Sequence, residues 1–398
     1  MPYVVTPLAP KGSAPSLSQL LGGELAHSAH KIRRYPGTRT VLQDSVSESL
    51  YRPEDIRRLI SLLESFSNVA ASYPQQLGGQ YRTFMIPKHS GGMRTICEPK
   101  PRLYADQVSL RELLEQEFAA SHHTTAFAYC KGRSIKHCIQ RHQANKSKWF
   151  LKIDFEDFFG NTSQEFVMRQ LQNIAPFSEV LKDPAGKKRL ENALRICFLH
   201  DGLPQGTPIS PMLTNLVMIP FDHEINKRLH ERGFVYTRYA DDIQISHREK
   251  FNHIRILGIV NSTLRDLNMP YHIKPTKTRF GSSSGRNYNL GLMLNKDNRI
   301  TIGHKKHKEM KARLHSFAMA VKNNDRWTLE EAQKLMGRYA YFESIEPKTA
   351  QYVVKHLSDK LGIDILKELS RSVSVHEELT PQQRWARFSM DTGFLRAM

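Results

Sequence analysis

Cysteine is scarce in this chain of 398 residues, and no two of its four cysteines form a CxxC pair. They are Cys97, Cys130, Cys138 and Cys197. Disulfide scaffolds and structural zinc sites both need paired, regularly spaced cysteines. The scarcity therefore argues against both kinds of site, and it predicts a protein of a reducing compartment, the cytoplasm.

Long apolar runs are also missing, because no stretch reaches the roughly 20 residues that a membrane-spanning helix needs. The first ten residues, MPYVVTPLAP, lack the charged-then-apolar order of a secretory signal. We therefore expect no membrane span and no secretion.

Acidic residues are few, with 39 Asp and Glu against 58 Lys and Arg. The net charge of +19 predicts a polyanionic partner, either a nucleic acid or an anionic membrane surface. A membrane surface explains the charge less well, because no basic amphipathic helix stands apart from the motifs described below. With 39% hydrophobic residues the chain can bury a sizeable core, and its length suggests two or three packed units.

Hydrophobic periodicity predicts a mixture of helices and strands. Apolar residues recur at helical spacing in the segments 53–67, 106–119, 164–174, 213–229 and beyond 305. Apolar, β-branched and aromatic residues predict strands at 149–153, 288–294 and 299–302, and hairpins at 81–98 and 235–246. The polar segment 182–186 predicts a loop.

Three acidic residues stand at the ends of predicted strands. Asp154 closes WFLKID, and Asp241 and Asp242 form the tip of the predicted hairpin VYTRYADDIQIS. An Asp-Asp pair on its own favours an ordinary turn, because Asp accepts turn hydrogen bonds. Here bulky β-formers flank the pair, and clustered carboxylates repel one another unless a cation is present. We therefore expect a hard divalent ion such as Mg²⁺, which binds a few carboxylates together with substrate phosphates.

These motifs resemble those of the reverse transcriptases, in particular the prokaryotic group that includes retron and group II intron enzymes. Tyr239-Ala240-Asp241-Asp242 is similar to the family's YADD box. The segment 152–159, KIDFEDFF, is similar to the preceding metal-binding motif, and 203–211, LPQGTPISP, is similar to the PQG motif.

Further similar segments lie on either side. Upstream, 86–96 resembles the finger hairpin. Downstream, Lys277-Thr278, Leu290-Gly291-Leu292 and 335–347 resemble the motif after the catalytic hairpin, the start of the primer grip and the thumb. So many motifs in the right order, over roughly residues 55–350, make accidental agreement very improbable.

The resemblance implies an α+β right-hand polymerase, with fingers, a palm built on an antiparallel sheet, and an α-helical thumb. We divide the chain into an N-terminal basic arm (1–50), fingers (51–150) and a palm (151–285, with finger elements around 161–205). The remainder, 286–398, would hold the primer grip, the α-helical thumb and a C-terminal RNA-recognition tail.

The resemblance also assigns roles at the carboxylates. Asp154, Asp241 and Asp242 would bind two Mg²⁺ ions, with Mn²⁺ as an alternative, and the backbone carbonyl of Phe155 would join them. Two ions about 4 Å apart can activate a 3′-hydroxyl and stabilise a departing pyrophosphate. Lys277 could donate a proton to that pyrophosphate, although a solvated lysine is the alternative.

Five residues would bind the incoming nucleotide. Lys88 and Arg94 would hold the triphosphate, for which the planar guanidinium is well suited, although both could be ordinary surface charges. Gln205 and Gly206 would line the pocket, where glycine lets the backbone approach the ligand. Phe159 occupies the place of an aromatic steric gate against a 2′-hydroxyl, so deoxynucleotides are expected, whereas its neighbour Phe158 is assigned to the core.

Beyond residue 304, basic residues are interleaved with Met310, Leu314 and Phe317 at helical spacing. The apolar residues should pack inward and leave the cations on the outer face. We expect this face to contact the backbone of the template and primer, a solvated face being the alternative. Its cations are Lys305, Lys306, Lys308, Lys311 and Arg313.

Two segments depart from the retron pattern. Gly132-Arg133-Ser134-Ile135 is followed by Cys138-Ile139-Gln140-Arg141-His142, which keeps only the His of the retron NAxxH motif. Asn289-Leu290-Gly291 stands where retron enzymes have VTG. The chain therefore looks most like the neighbouring defence-associated, unknown-group reverse transcriptases.

The resemblance thus implies an RNA-directed DNA polymerase that uses deoxynucleotides and a structured non-coding RNA, makes a DNA product, and serves antiphage defence in the bacterial cytoplasm. A second operon-encoded protein or a homo-oligomer is a plausible partner. One alternative is an RNA-dependent RNA polymerase, against which Phe159 speaks. Another is an RNA-binding scaffold or maturase-like protein, against which the intact carboxylates speak.

Overall fold

The computed structural model describes residues 51–88, 91–117, 122–284, 288–325 and 327–374. The N-terminal arm and most of the C-terminal tail named above lie outside these residues. The described chain forms two compact units. The first holds the described residues up to Ser134 together with Phe150–Phe280, and the second holds Ile135–Trp149 together with the described residues from Gly281 onward.

The elements are numbered along the chain. The helices are α1 (Pro53–Ala71), α2 (Pro101–Glu117), α3 (Ile135–Ala144), α4 (Gln164–Leu171), α5 (Phe177–Val180), α6 (Pro184–Leu194), α7 (Ser210–Val217), α8 (Ile219–His230), α9 (His253–Asp266), α10 (His304–Lys322), α11 (Leu329–Ile345), α12 (Pro347–Leu361) and α13 (Ile365–Ser374). The strands are β1 (Tyr81–Pro87), β2 (Met93–Pro99), β3 (Trp149–Asp154), β4 (Val235–Tyr239), β5 (Asp242–His247), β6 (Arg279–Ser282), β7 (Tyr288–Asn289), β8 (Leu292–Leu294) and β9 (Ile300–Thr301). Within the described ranges, no helix combines the length and the apolar character needed to cross a bilayer.

A four-stranded sheet with the strand order β4-β5-β3-β6 lies at the centre of the first unit. β4 and β5 form an antiparallel hairpin, whose register pairs Tyr239 with Asp242 at its tip. Apolar side chains of the sheet and of α7 and α8 share one core, which includes Leu151, Ile153, Leu213, Phe221, Ile225, Ile243 and Ile245. This core holds the end of β3 and the tip of the β4–β5 hairpin, where the three predicted metal-binding acids stand.

The β1–β2 hairpin forms a separate two-stranded sheet, paired from Tyr81 with Pro99 to Pro87 with Met93. Most of its side chains are exposed. The second unit combines a small antiparallel sheet, β7-β8-β9, with the helices α3 and α10 to α13. Met310, Leu314 and Phe317 of α10 lie in its core, which confirms the predicted inward packing.

The predicted mixture of helices and antiparallel hairpins is confirmed, with three corrections. The single strand predicted at 288–294 is two paired strands, β7 and β8, because Leu290 and Gly291 adopt positive φ and turn the chain between them. The loop predicted at 182–186 is wrong from Pro184 onward, because α6 begins there. Asp183 Oδ1 accepts a 2.8 Å bond from Gly186 N and so caps the helix, while proline takes the first helical position. The single helix predicted at 213–229 is two helices, since Pro220 in the first turn of α8 lacks the N–H that a continuous helix would use.

Candidate active site

The β4–β5 hairpin turns through Ala240 and Asp241, between the paired residues Tyr239 and Asp242. Ala240 has a φ of +57°, in the left-handed region that residues other than glycine seldom adopt. Backbone strain of this kind persists only where the surrounding structure imposes it. The structure that imposes it here is a buried ion pair beneath the turn.

Arg238 and Asp222 form this ion pair, and neither side chain has any solvent exposure. The guanidinium of Arg238 donates to the Asp222 carboxylate at 2.7–3.1 Å and to the Ala240 carbonyl oxygen at 3.2 Å. The Tyr236 hydroxyl donates to Asp222 at 2.6 Å, and Asn215 Oδ1 accepts from Arg238 at 3.1 Å. Burial opposes a charged guanidinium, but the charge of Asp222 more than offsets this and raises the pKa of Arg238. The network therefore fixes the carbonyl that precedes the first acid of the turn.

Neither Arg238 nor Asp222 was among the site residues predicted from the sequence. A signal was present, because Arg238 is two residues from Tyr236 and so shares its face of β4, amid bulky β-formers. Asp222 follows Phe221 within an apolar stretch. Since buried charges occur almost always in pairs, two opposite charges at core positions predict one another.

Asp154 ends β3, the neighbour of β5 in the sheet, and its side chain is 7% exposed. Its carboxylate accepts two bonds of 2.9 Å from Lys277 Nζ, and its backbone carbonyl accepts a 2.8 Å bond from Lys274 N. The backbone N–H of Phe155 donates to the carbonyl of Asp241 at 3.4 Å. This bond joins the end of β3 to the hairpin turn, so the residues predicted to bind metal lie next to one another.

Like charges and burial dominate the electrostatics of this cluster. Burial, followed by the charges of Asp242 and Asp154, raises the pKa of Asp241 to about 6. Burial also raises the pKa of Asp242, although Lys152, whose Nζ lies 2.9 Å from Asp242 Oδ1, opposes the rise. Burial would lower the pKa of Lys277, but its hydrogen bond to Asp154 raises it. The cluster is therefore anionic, only partly neutralised by the two lysines, and able to accept a further cation.

The donor atoms of the cluster fit a hard divalent cation. Among the residues that the structure describes, no three His, Cys, Asp or Glu side chains are grouped closely enough to hold one ion by themselves. Mg²⁺ commonly takes one or two carboxylates and completes its shell with water and substrate phosphates. Carboxylates whose burial and mutual repulsion raise the pKa of Asp241 therefore suit an ion that is bound together with a phosphorylated substrate.

Phe159 and Phe158 follow the first acid, with ring centroids 5.7 Å apart. Phe158 is buried in the core, as predicted, whereas Phe159 is only partly buried. The carbonyl oxygen of Phe159 accepts a 3.0 Å bond from Leu203 N. This bond attaches the LPQGTPISP loop to the segment that carries the aromatic pair.

The same loop is attached to the β1–β2 hairpin, because Cys97 N donates to the carbonyl of Gln205 at 2.8 Å. Gly206 has a φ of +105°, and a Cβ atom there would lie 2.7 Å from Ile96 Cγ2. Glycine is thus required by its positive φ and by the closeness of β2. The prediction from the sequence was only that a ligand approaches the backbone here. Lys88 and Arg94 are exposed on this hairpin, where Arg94 pairs with Ile86.

The five cations predicted to contact nucleic acid lie in α10, in the second unit. Lys306 differs from the others, because its Nζ donates a 2.7 Å hydrogen bond to the carbonyl of Gly291. This carbonyl belongs to a turn in which Leu290 and Gly291 both have positive φ. The remaining four are exposed, namely Lys305, Lys308, Lys311 and Arg313.

Comparison with known proteins extends these observations. Residues 86–313 match the profile of a family described as reverse transcriptase (RNA-dependent DNA polymerase). The chain is 30% identical over 302 residues to the retron Ec73 reverse transcriptase of Escherichia coli, covering 74% of this chain and 90% of that one. Retron Ec83 reverse transcriptase of E. coli is 26% identical over 304 residues, covering 73% and 90%. Retron Mx65 reverse transcriptase of Myxococcus xanthus is 27% identical over 299 residues, covering 71% and 65%.

Proposed function

Because this chain belongs to the reverse transcriptase family and is an RNA-directed DNA polymerase with a right-hand polymerase fold, we propose that it acts by two-metal catalysis on a dedicated structured RNA. The observation that supports this mechanism is the carboxylate cluster. Asp154 at the end of β3 lies near Asp241 in the adjacent turn, where burial, followed by the charges of Asp242 and Asp154, raises the pKa of Asp241 to about 6. An anionic site of this kind attracts the divalent cations with which a polymerase binds a nucleoside triphosphate.

Asp154, Asp241 and Asp242, with the carbonyl of Phe155, would hold two Mg²⁺ ions, or Mn²⁺ ions in their place. Such ions would supply Lewis acidity for activating a 3′-hydroxyl and stabilising a departing pyrophosphate. The ammonium group of Lys277 donates to both oxygens of the Asp154 carboxylate, so it lies beside any ion that this carboxylate would hold. The nearby carboxylates favour its protonated form, because the hydrogen bond to Asp154 and the charges of Asp154 and Asp241 raise the pKa of Lys277 against the effect of burial. A proton donor to pyrophosphate must be in this form.

The other residues predicted at this site orient the nucleotide. Lys88 and Arg94, on the exposed hairpin, bind the triphosphate. Gln205 and Gly206 line the pocket, and their attachment to β2 keeps that hairpin in a fixed relation to the loop. Phe159 rejects the ribose 2′-hydroxyl. In the second unit, the exposed cations of α10 bind the backbone of the template and primer.

DNA synthesis is expected to fall as the pH drops through about 6 at limiting Mg²⁺, because Asp241 must be ionised to bind the metal. Steady-state primer extension from pH 5 to 8 would measure this profile. Since metal and proton compete for the same carboxylate, a tenfold rise in Mg²⁺ should move the midpoint to lower pH. A pH midpoint that does not change with the Mg²⁺ concentration would contradict the assignment of Asp241 as a metal ligand.

Phe159→Ala is expected to lower the preference for deoxynucleotides over ribonucleotides by about 10- to 100-fold, the range that steric discrimination of small groups usually spans. The quantity to measure is the ratio of kcat/KM for dATP and ATP on one template. Phe158→Leu is the matched control, because Phe158 is buried in the core and its replacement should alter stability and leave the ratio unchanged. An unaltered ratio in Phe159→Ala would exclude the steric-gate role.

The proposal extends to the cellular role of the enzyme and to its partners. The chain is similar to retron reverse transcriptases of bacteria, and its excess of basic residues suits a structured RNA that serves as template or primer. We place the enzyme in the bacterial cytoplasm and in antiphage defence, within a defence-associated clade. A second operon-encoded protein or a further copy of the chain completes the system.

The decisive experiment isolates the protein with the RNA that accompanies it in a bacterial host. Mg²⁺ and labelled nucleotides, either deoxy or ribo, are added to the wild type and to a double variant, Asp241→Ala/Asp242→Ala. The proposal expects a DNase-sensitive product that the double variant does not make and whose sequence maps to one co-purifying RNA. Products copied at random from many cellular RNAs would contradict the dedicated template. RNA binding with no product in either protein would favour the scaffold alternative.

A further inference from the structure

Tyr129 combines two features that are unusual in one residue. Its side chain is 59% exposed, although it is a large aromatic residue. Its φ is +58°, in the left-handed region that glycine visits freely and a bulky residue seldom adopts. Nothing in the mechanism described above uses this residue, and the neighbouring GRSI-like segment, Gly132-Arg133-Ser134-Ile135, has no role there either.

The backbone places Tyr129 beside the catalytic turn. Ala126 forms an isolated parallel bridge with Arg238, through backbone hydrogen bonds of 2.9 Å on either side. Tyr129 and Asp241 each lie three residues beyond this bridge, along two segments that run in the same direction. The turn that carries Tyr129 is therefore a neighbour of the turn that carries Asp241.

Three further contacts hold the segment in this place. Asn215 Nδ2 donates to the carbonyl of Ala128 at 2.8 Å, while its Oδ1 accepts from the buried Arg238. The guanidinium of Arg133 donates to the carbonyl of Thr124 at 3.1 Å and lies 5.5 Å from the centre of the Phe127 ring. The left-handed backbone of Tyr129 is thus imposed by its neighbours, and the GRSI-like segment supplies one of them.

The charges around the Tyr129 hydroxyl agree with this placement. Desolvation, followed by the negative charge of Asp241, raises the pKa of Tyr129, and Arg94 opposes the rise. The residue therefore lies within electrostatic reach of a predicted metal ligand and of a predicted triphosphate-binding cation. A nucleotide held by both groups would have the Tyr129 ring at its side.

We propose that the ring of Tyr129 contacts a nucleobase at the active site. The base belongs either to the incoming nucleotide or to the terminal base pair of the primer and template. Every base presents a π-face, so an aromatic contact of this kind is compatible with copying any sequence. An exposed aromatic residue on a strained backbone points to a functional role, because strain of this kind clusters at active sites. The proposal rests on the polymerase activity of the chain. The wild-type protein in the same assay tests that activity, and only a difference between the wild type and the Tyr129 variants tests the contact.

The test compares Tyr129→Gly with Tyr129→Phe. Glycine accepts a φ of +58° without strain and removes the ring, so its melting temperature should equal or exceed that of the wild type. Its kcat/KM for primer extension should nevertheless fall by about 10- to 100-fold, the loss that removal of one base–aromatic stack produces. Phenylalanine keeps the ring and should stay within about threefold of the wild type by the same reasoning.

Two constants distinguish the two sources of the base. A raised KM for the deoxynucleotide with an unchanged Kd for primer–template assigns the contact to the incoming nucleotide. A raised Kd assigns it to the terminal base pair. Ile254→Ala, which removes an apolar side chain that is 70% exposed in the same unit, is the matched control and should change neither constant. The proposal is overturned if Tyr129→Gly leaves both constants unchanged, or if it lowers the melting temperature and Tyr129→Phe fails to restore activity.

Discussion

Replacing Asp241 with Asn should reduce DNA synthesis by about 10⁴-fold while leaving the protein folded, because metal-assisted charge stabilisation supplies several kcal/mol and each 1.36 kcal/mol is a factor of ten. Asn keeps the shape of the side chain and one oxygen, but it lacks the charge that draws a divalent ion to the site. The loss should appear in kcat and remain at saturating nucleotide, since the missing interaction belongs to the transition state.

Single-turnover extension of a labelled primer on an RNA template measures this loss. Asp201→Asn, at an exposed acid of the same unit, is the control and should retain wild-type activity. The melting temperature of Asp241→Asn without metal should not fall below that of the wild type, because the substitution relieves repulsion from Asp242 and Asp154. Activity within about tenfold of the wild type would show that Asp241 is not a metal ligand.

Replacing Asp222 with Asn should lower the free energy of unfolding by about 3 kcal/mol, at the lower end of the 3–5 kcal/mol that breaking a buried ion pair costs. The variant leaves the guanidinium of Arg238 fully buried without its counter-charge. Because Arg238 also donates to the Ala240 carbonyl, the variant should lose DNA synthesis beyond its loss of folded protein.

Urea denaturation followed by circular dichroism measures the loss of stability. Asp266→Asn offers a matched comparison, since Asp266 also pairs with an arginine, Arg228, at 2.9 Å, but its side chain is 54% exposed. Exposed pairs contribute about 0–1 kcal/mol, so this control should unfold almost as the wild type does. Equal losses in the two variants would refute a special role for the buried pair.

The strands that carry the acids could be predicted because their signals are local, whereas the right-hand fold was implied by the resemblance to reverse transcriptases. Asp154 ends an apolar strand, and Asp241 and Asp242 lie between two runs of β-formers, so periodicity alone places all three at strand ends. The order of the motifs then supplies the connection between distant segments. Their proximity in the structure, through the bond from Phe155 N to Asp241, follows from the adjacency of β3 and β5.

What could not be predicted depends on contacts between residues far apart in sequence. Gly206 is explained by Ile96 on another strand, a contact that no local pattern records. The pairing of Asp222 with Arg238 joins a helix to a strand, so the sequence could mark two charges at core positions but could not show that they contact each other and the Ala240 carbonyl. The start of α6 was missed for a different reason, since Asp183-Pro184 is a turn signal and a helix-start signal at once.

The carboxylate cluster also opposes the stability of the fold that presents it. The folded-state pKa of Asp241, about 6, lies above its ordinary value of 3.8, so between these values the folded protein binds a proton that the unfolded chain releases. For this group the free energy of unfolding rises as the pH falls from about 6 towards 4, and it is lowest above pH 6, where the acid must be ionised to work. A cation that binds the cluster only in the folded protein would raise the free energy of unfolding again, and so would offset the loss caused by ionisation of Asp241. Folding thus favours the protonated form of Asp241, whereas catalysis needs the ionised form. A bound cation would stabilise the folded protein with Asp241 ionised.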